Sequence, residues 1–238
     1  MDERKKRKVV NSWTEQHNIE GFVFDYGGTL DTGGSHWGRV LWDAWQQAGV
    51  PVGEGRFREA YVHGERTLGR QPIIQPTFTF RQTLAEKLRL ELEYVGQTDY
   101  LEPILQQVYA ETQRHTAHSR DVLRQLAVRY PLVLVSNFYG NISVVLEEFG
   151  FAGLFQQIVE SAVVGIRKPD ARIFQLGVEA LKLLPEQVAV VGDSIEKDIK
   201  PACQAGCQTV WLRGRQWTDD PVDERTADYV ITDLKELL

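Results

Sequence analysis

The chain has 238 residues, enough for one large domain or two modest ones with a substantial core. Its net charge of −6 argues against general nucleic-acid binding. The two cysteines, Cys203 and Cys207, lie one helical turn apart, which favours two small core side chains over a disulfide or a complete metal site. The sequence contains neither a membrane-length apolar stretch nor the apolar region of a signal peptide. We therefore expect a cytoplasmic protein that binds neither nucleic acid nor membrane.

Residues 1–20 are predicted to form an N-terminal tail. A basic run, Arg4 to Lys8, could be a patch for nucleic acid or anionic lipid, or a solvated tail. The acidic character of the whole chain favours the solvated tail.

The first strand signal is the apolar run Phe22 to Phe24, which ends in Asp25 and is followed by Gly27 and Gly28. A short apolar run bounded by turn residues is typical of a buried strand. Ligands of open α/β sheets lie beyond the carboxyl ends of such strands. Asp25 is therefore a candidate functional carboxylate, with glycines allowing the backbone to turn beneath it.

Residues 35–119 have a different, helical period. Four helices are predicted there, the third capped by Thr77 or Thr79 and the fourth starting near Thr98 or Asp99. The tryptophans Trp37, Trp42 and Trp45 could line a pocket but are more typical of a core. His36 is a loop histidine with a possible role at the site. Lys87 has Thr83 and Glu91 one turn away on either side, which favours a solvated helix face.

From residue 120 strands and helices alternate, starting with a helix near Asp121. This alternation predicts parallel strands with right-handed crossovers in a three-layer α/β/α, Rossmann-like fold. Polar candidates follow the predicted strands or lie just beyond them: Ser136, Asn137, Lys168, Asp193 and Asp198. Their convergence at one sheet edge predicts a site.

Four stretches together resemble the signature motifs of the haloacid dehalogenase superfamily: Gly21 to Asp31, Leu132 to Asn137, Arg167 to Asp170, and Val190 to Asp198. The order and the predicted elements match that superfamily. The resemblance implies a catalytic core of residues 21–34 and 120–238 and a helical cap of residues 35–119. Such caps close over the active site and select the substrate.

The resemblance also implies a set of roles. Asp25 would attack a phosphoryl group and form an aspartyl-phosphate, and Thr29 would hydrogen-bond the motif loop. Mg²⁺ would be bound by Asp25, the Gly27 carbonyl and Asp193, with Asp198 close to the metal or its waters. The phosphate of a small phosphorylated metabolite would be bound by Ser136, Asn137 and Lys168, with Asn137 just before a predicted helix N-terminus.

One position departs from the pattern, because most phosphatases of the superfamily have a second aspartate where this chain has Gly27. That residue normally protonates the leaving group. Three interpretations follow. The first is a Mg²⁺-dependent phosphohydrolase whose acid is impaired or replaced by His36, Asp31 or the substrate. The second is a 2-haloacid dehalogenase, with Arg39 binding the substrate carboxylate. The third is a non-catalytic phospho-ligand-binding protein. They are ranked in that order.

Overall fold

The structure, a computed structural model, describes residues 13–221 and 223–238. The basic run at residues 4–8 lies outside these residues. Six strands form one parallel sheet in the order β3-β2-β1-β4-β5-β6. The strands are β1 (Gly21–Phe24), β2 (Leu132–Ser136), β3 (Gln157–Glu160), β4 (Val188–Gly192), β5 (Gln208–Leu212) and β6 (Tyr229–Ile231).

The helices are α1 (Trp13–Gln16), α2 (Trp37–Ala48), α3 (Glu54–Arg70), α4 (Phe80–Val95), α5 (Leu101–Leu126), α6 (Ile142–Glu148), α7 (Ser161–Val164), α8 (Arg172–Leu181) and α9 (Lys200–Gln204). A π-helical turn, Ile195–Ile199, precedes α9. Among the described residues, no helix combines the length and apolar character needed to cross a bilayer.

The sheet buries apolar side chains on both faces. Phe22 and Phe24 contribute to one buried cluster, whereas Val23 between them contributes to another. Successive side chains of a strand point to opposite faces, so a strand that is apolar throughout requires cover on both sides. On the second face that cover includes α8, through Ile173 and Phe174. The predicted three-layer α/β/α fold is confirmed.

Residues 35–119, all of them described, contain helices and no strand. Helix α4 is capped by Thr79, which forms a hydrogen-bonded capping box with Gln82. Of the two predicted cap residues, Thr77 and Thr79, Thr79 is therefore the one that caps the helix. The fourth helix, however, continues without a break from Leu101 to Leu126. The separate helix predicted near Asp121 is therefore wrong, because the chain has no helix-breaking residue there. The division into core and cap stays a prediction.

Cys207 is buried in the second cluster, whereas Cys203 is exposed. The interpretation of both cysteines as core side chains is therefore only half right.

Candidate active site

A cavity of about 720 Å³ lies at the carboxyl ends of the strands. The site candidates that line it are Asp25, Gly27, Ser136, Asn137, Lys168, Asp193 and Asp198. β1 is the switch point of the sheet, since β2 lies on one side of it and β4 on the other. Parallel sheets open a crevice at such a point, which explains why residues far apart in sequence meet there.

The centre of the site is an ion triplet. The Lys168 Nζ lies 2.5 Å from Asp25 Oδ1 and 2.7 Å from Asp198 Oδ1, and all three side chains are buried. The second oxygen of Asp198 accepts a hydrogen bond from the Ser194 backbone N–H at 3.1 Å. Although burial alone lowers the pKa of Lys168, the two carboxylates raise it above its usual value. The lysine therefore stays charged and holds Asp25 in place.

Thr29 lies beneath Asp25 and is fully buried. Its hydroxyl lies 3.1 Å from Asp25 Oδ2 and 3.1 Å from Asp193 Oδ1, so one hydroxyl is shared between two carboxylates. The close approach of Asp193 depends on Gly28, which has φ +100° and whose Cβ, if present, would lie 2.4 Å from Asp193 Oδ1. Glycine at this position allows the two motif loops to meet.

Asp25, Asp193 and Asp198 offer oxygen atoms that lie within 4.8 Å of one another. Burial raises the pKa of Asp25 to about 6, because desolvation outweighs the attraction of Lys168. Burial and the neighbouring carboxylates raise the pKa of Asp193 well above its usual value. Opposite ligands of Mg²⁺ lie about 4 Å apart. The spacing, the oxygen donors and the shortage of positive charge therefore fit a divalent cation.

Asn137 lines the cavity, and its side chain is hydrogen-bonded to the backbone of Lys168. Its Nδ2 donates to the Lys168 carbonyl at 3.1 Å, and its Oδ1 accepts from the Lys168 backbone N–H at 2.9 Å. The nearest helix, α6, begins only at Ile142, so Asn137 is not at a helix N-terminus. The asparagine side chain fixes the lysine backbone and thereby positions Nζ. Ser136, at the end of β2, is buried and lines the cavity as predicted.

Space is available at Gly27. A Cβ built there would have Trp37 Nε1, 3.9 Å away, as its nearest neighbour. The missing carboxylate is therefore not excluded sterically. Asp31, buried on the same cavity, accepts from the Gly28 N–H at 2.7 Å and from Trp37 Nε1 at 3.1 Å. Burial raises the pKa of Asp31 to about 8, so this carboxyl is protonated at neutral pH.

His36 lines the cavity but is a poor proton donor. Its Nδ1 accepts the Gly38 backbone N–H at 3.0 Å and so caps α2. Burial and nearby cations lower the pKa of His36 to about 3. The ring is therefore neutral, and it packs beside Tyr61 and Trp217.

The predicted solvated position of Lys87 is wrong. Lys87 is buried, pairs with Glu65, lies 3.6 Å from Glu91 Oε1, and has its Nζ 4.3 Å from the Tyr61 ring centre. Glu91 is fully buried. Tertiary packing of α4 against α3 covers the face that its polar neighbours suggested was exposed.

The three tryptophans of α2 separate into two groups. Trp45 is fully buried, and Trp42 packs on the same core, as the core interpretation predicted. Trp37 instead lines the cavity. Tyr61 and Trp217 also line it and were missed by the sequence reasoning.

Arg39 does not line the cavity. Its guanidinium donates to the Gln216 carbonyl at 2.9 Å and to Asp219 at 2.6 Å, and it lies 3.5 Å from Glu54. The side chain is buried, and these partners occupy it. Arg39 is therefore not placed to bind a substrate carboxylate in this cavity, contrary to the role predicted for it in a 2-haloacid dehalogenase.

The chain is similar in sequence to a known protein family and to several phosphatases. Residues 19–206 match the family model of haloacid dehalogenase-like hydrolases. The phosphoserine phosphatase of Thermus thermophilus is 38% identical over 88 residues, which are 37% of this chain and 34% of that protein. The phosphoglycolate phosphatase of Vibrio cholerae is 25% identical over 93% of this chain and 96% of its own.

Among solved structures, the magnesium-bound HAD-hydrolase YfnB of Bacillus subtilis superposes with a TM-score of 0.56 at 18% identity, over 92% of this chain and 96% of that one. This likeness shows the fold. The match to the first relative covers only about a third of that protein's length. The family model, in contrast, covers most of this chain together with the loops that carry Asp25, Lys168 and Asp193. The chain therefore belongs to the haloacid dehalogenase-like hydrolase family.

Proposed function

We propose that this hydrolase cleaves phosphate monoesters of a small metabolite, with Asp25 as the nucleophile and Mg²⁺ as the cofactor. The observation that carries the proposal is the buried triplet of Asp25, Lys168 and Asp198, with Asp193 within 4.8 Å. A carboxylate next to a fixed ammonium suits attack on phosphorus, because the ammonium also attracts the phosphate oxygens.

The proposed reaction has two steps. An Asp25 carboxylate oxygen forms a bond to phosphorus, while the bond between phosphorus and the ester oxygen breaks; the leaving alkoxide takes the proton of Asp31 and departs as the alcohol. Water then attacks the phosphorus of the aspartyl-phosphate and gives its proton to the Asp31 carboxylate, which releases inorganic phosphate and regenerates the Asp25 carboxylate. Lys168 holds phosphate oxygens and Asp25 in line, and Ser136 offers a hydroxyl to the same oxygens.

Asp25, the Gly27 carbonyl and Asp193 would hold Mg²⁺, with Asp198 facing its waters while pairing with Lys168. The cation supplies positive charge that offsets the repulsion between an anionic nucleophile and an anionic phosphate. The raised pKa values of Asp25 and Asp193 support this assignment, since they reflect carboxylates without enough positive charge around them.

Asp31 is the best placed substitute for the missing acid. It is neutral at neutral pH, lines the cavity and lies four residues along the same loop from Gly27. His36 is excluded from this role, because its ring is neutral and its Nδ1 is already an acceptor. Proton transfer to a leaving alkoxide requires a protonated group of this kind.

Phosphate release from a panel of monoesters, with Mg²⁺ and with a chelator, tests the proposal. We expect Mg²⁺-dependent release by the wild type and none by Asp25→Asn. Calorimetric titration should also show that Asp193→Asn binds Mg²⁺ at least tenfold more weakly. Equal Mg²⁺ affinity of the wild type and Asp193→Asn would show that Asp193 is not a metal ligand.

The glycine at position 27 favours 2-haloacid dehalogenation as a second candidate, since a halide leaves without a proton. The acidic cluster and the engaged Arg39 side chain argue against it. We expect no chloride release from 2-chloropropionate. Release that persists after all divalent metal has been chelated would reverse the ranking.

A further inference from the structure

Away from the acidic cluster, the cavity wall is rich in aromatic rings. The rings that line it are Trp37, Tyr61, Phe80, Phe138, Tyr139 and Trp217. Aromatic side chains combine a large apolar area with a preference for stacked or edge-to-face contacts with other rings. A wall of this composition suits a flat aromatic group better than a short aliphatic one.

Trp217 reaches this wall from the segment that follows β5. Its ring centre lies 5.0 Å from that of Tyr61, and the Arg58 guanidinium lies 4.2 Å from the indole centre. Arg58 also donates to the Trp217 carbonyl at 3.0 Å. The indole packs directly on Gly38, where an added Cβ would lie 1.9 Å from Trp217 Cζ3. The ring is thus held in place by contacts from α2 and α3.

Trp37 brings the aromatic wall to the reacting end of the cavity. Its indole is the nearest group to an added Cβ at Gly27, two residues from the nucleophile. Its ring centre lies 5.8 Å from that of Phe80. An aromatic ring joined directly to the ester oxygen would therefore meet an aromatic neighbour at once.

The size of the cavity agrees with such a group. Its volume of about 720 Å³ lies within the usual range for sites that enclose drug-sized ligands. A short aliphatic phosphate would leave much of the aromatic wall in contact with water. A phenyl or naphthyl group would cover more of it.

We infer that the preferred substrates are phosphate monoesters of phenol-type alcohols, whose ring packs against Trp37 and Trp217, and that Trp217 determines this specificity. This inference rests on the proposed phosphatase function. Gly27 supports it independently of the wall, because a phenolate leaves with little need of protonation. Gly38 is a positioning residue, since it acts through the indole that it accommodates.

Binding of non-hydrolysable analogues tests the inference without turnover. Phenylphosphonate and cyclohexylphosphonate are similar in size and charge but differ in aromaticity. Titration of the Mg²⁺-loaded wild type should show phenylphosphonate binding about three- to tenfold more tightly. Equal affinities, or tighter binding of cyclohexylphosphonate, would overturn the inference.

Three variants locate the effect. Trp217→Leu should reduce the phenyl-to-cyclohexyl ratio to about one. Gly38→Ala, which keeps the indole but displaces it, should reduce the ratio as well. Tyr94→Leu is the matched control, because Tyr94 is an exposed aromatic residue of α4 outside the cavity, and it should keep the wild-type ratio. A wild-type ratio in folded Trp217→Leu would refute the role of Trp217.

Kinetics separate this inference from the proposed function. Phenyl phosphate should be cleaved with about tenfold higher kcat/KM than hexafluoroisopropyl phosphate, whose fluorinated alcohol is comparably acidic. Cleavage of both at equal rates would refute the aromatic preference and leave the phosphatase function standing. Selective binding of phenylphosphonate without any hydrolysis would support the aromatic site and refute the phosphatase function.

Discussion

Substitution of Gly27 by aspartate tests what this active site lacks. The new side chain would stand beside the nucleophile, in a position from which a carboxyl could protonate the leaving alkoxide. Because an added Cβ has no neighbour nearer than 3.9 Å, the substitution should not disturb packing. Gly27 also does not have a positive φ, so a side chain there should be neutral or stabilise the fold by up to about 1 kcal/mol.

The expected gain follows from the chemistry of the leaving group. General acid catalysis contributes ~10²–10⁴ in rate, or about 3–5 kcal/mol of barrier. Asp31 already offers a protonated carboxyl in the same cavity, so the lower end applies. The added carboxylate also increases the negative charge near Asp25, Asp193 and Asp198. We expect kcat/KM for alkyl phosphates to rise by about 10²-fold, and that for p-nitrophenyl phosphate to rise much less.

The assay compares Gly27→Asp with Gly27→Asn at saturating Mg²⁺. Asparagine has nearly the same shape but no acidic proton, so it controls for bulk and polarity. Circular dichroism and Mg²⁺ titration confirm that each variant is folded and binds metal. Pre-steady-state kinetics of the wild type on aryl phosphates should show a burst, since Asp31 keeps its proton when a phenolate leaves and cannot then act as the base for water attack on the aspartyl-phosphate.

The reasoning would be refuted if a folded, Mg²⁺-binding Gly27→Asp protein hydrolysed no alkyl phosphate faster than Gly27→Asn does. Proton transfer would then not limit the site. That result would favour the interpretation of the protein as a non-catalytic phospho-ligand-binding protein.

Three further predictions concern the residues around the nucleophile. Lys168→Gln should lower the free energy of unfolding by about 3–5 kcal/mol at pH 7, because it leaves two buried carboxylates unpaired; urea titrations should show a smaller loss at pH 5, below the raised pKa of about 6 of Asp25, and an equal loss would contradict this. For alkyl phosphates, kcat/KM should rise with pH as Asp25 ionises, around its pKa of about 6 or at a lower pH once a cation is bound, and should fall as Asp31 ionises around its pKa of about 8. Asp31→Asn should abolish the fall at high pH, and a fall that persists in this variant would exclude Asp31 as the acid. Gly28→Ala should lower stability by roughly 1–3 kcal/mol and weaken Mg²⁺ binding, since its Cβ would meet Asp193 and its φ is positive, whereas Gly27→Ala should be harmless; equal effects of the two in thermal unfolding would refute the packing argument.

The sheet and the reacting residues could be predicted because their signals are local. Each strand is a short apolar run ended by a turn or polar residue, and parallel strands bring their carboxyl ends together. Asp25 and Asp193 were found for this reason, whereas Lys168 follows α7 and was found through the motif resemblance. The match of the motifs to a known family then supplied their roles.

The substrate-facing wall could not be predicted, because it depends on packing between distant segments. Lys87 has polar neighbours along its own helix, and only the approach of α3 buries it. Gly64 makes that approach possible, since an added Cβ would lie 2.9 Å from the Glu91 side chain. Trp217 lies in a segment without periodicity, and its contact with Gly38 joins residues far apart in the chain. Helix α5 was predicted in two pieces although residues 104–126 contain neither glycine nor proline.

Helix α5 runs without a break from residues 101–119, which belong to the helical segment 35–119, to residue 126, close to the start of β2. Its 26 residues span about 39 Å, and the Ser119 hydroxyl donates to the Leu30 carbonyl at 2.8 Å, on the loop that follows the nucleophile. If α5 rotated about Ser119, the part of the helix that moves, from Ser119 to Leu101, would be about 27 Å long at 1.5 Å per residue. A rotation of about 5° around it would move the far end by roughly 2 Å. A tilt of α5 would therefore change the position of residues 101–118 relative to the loop that carries Asp25 and Thr29.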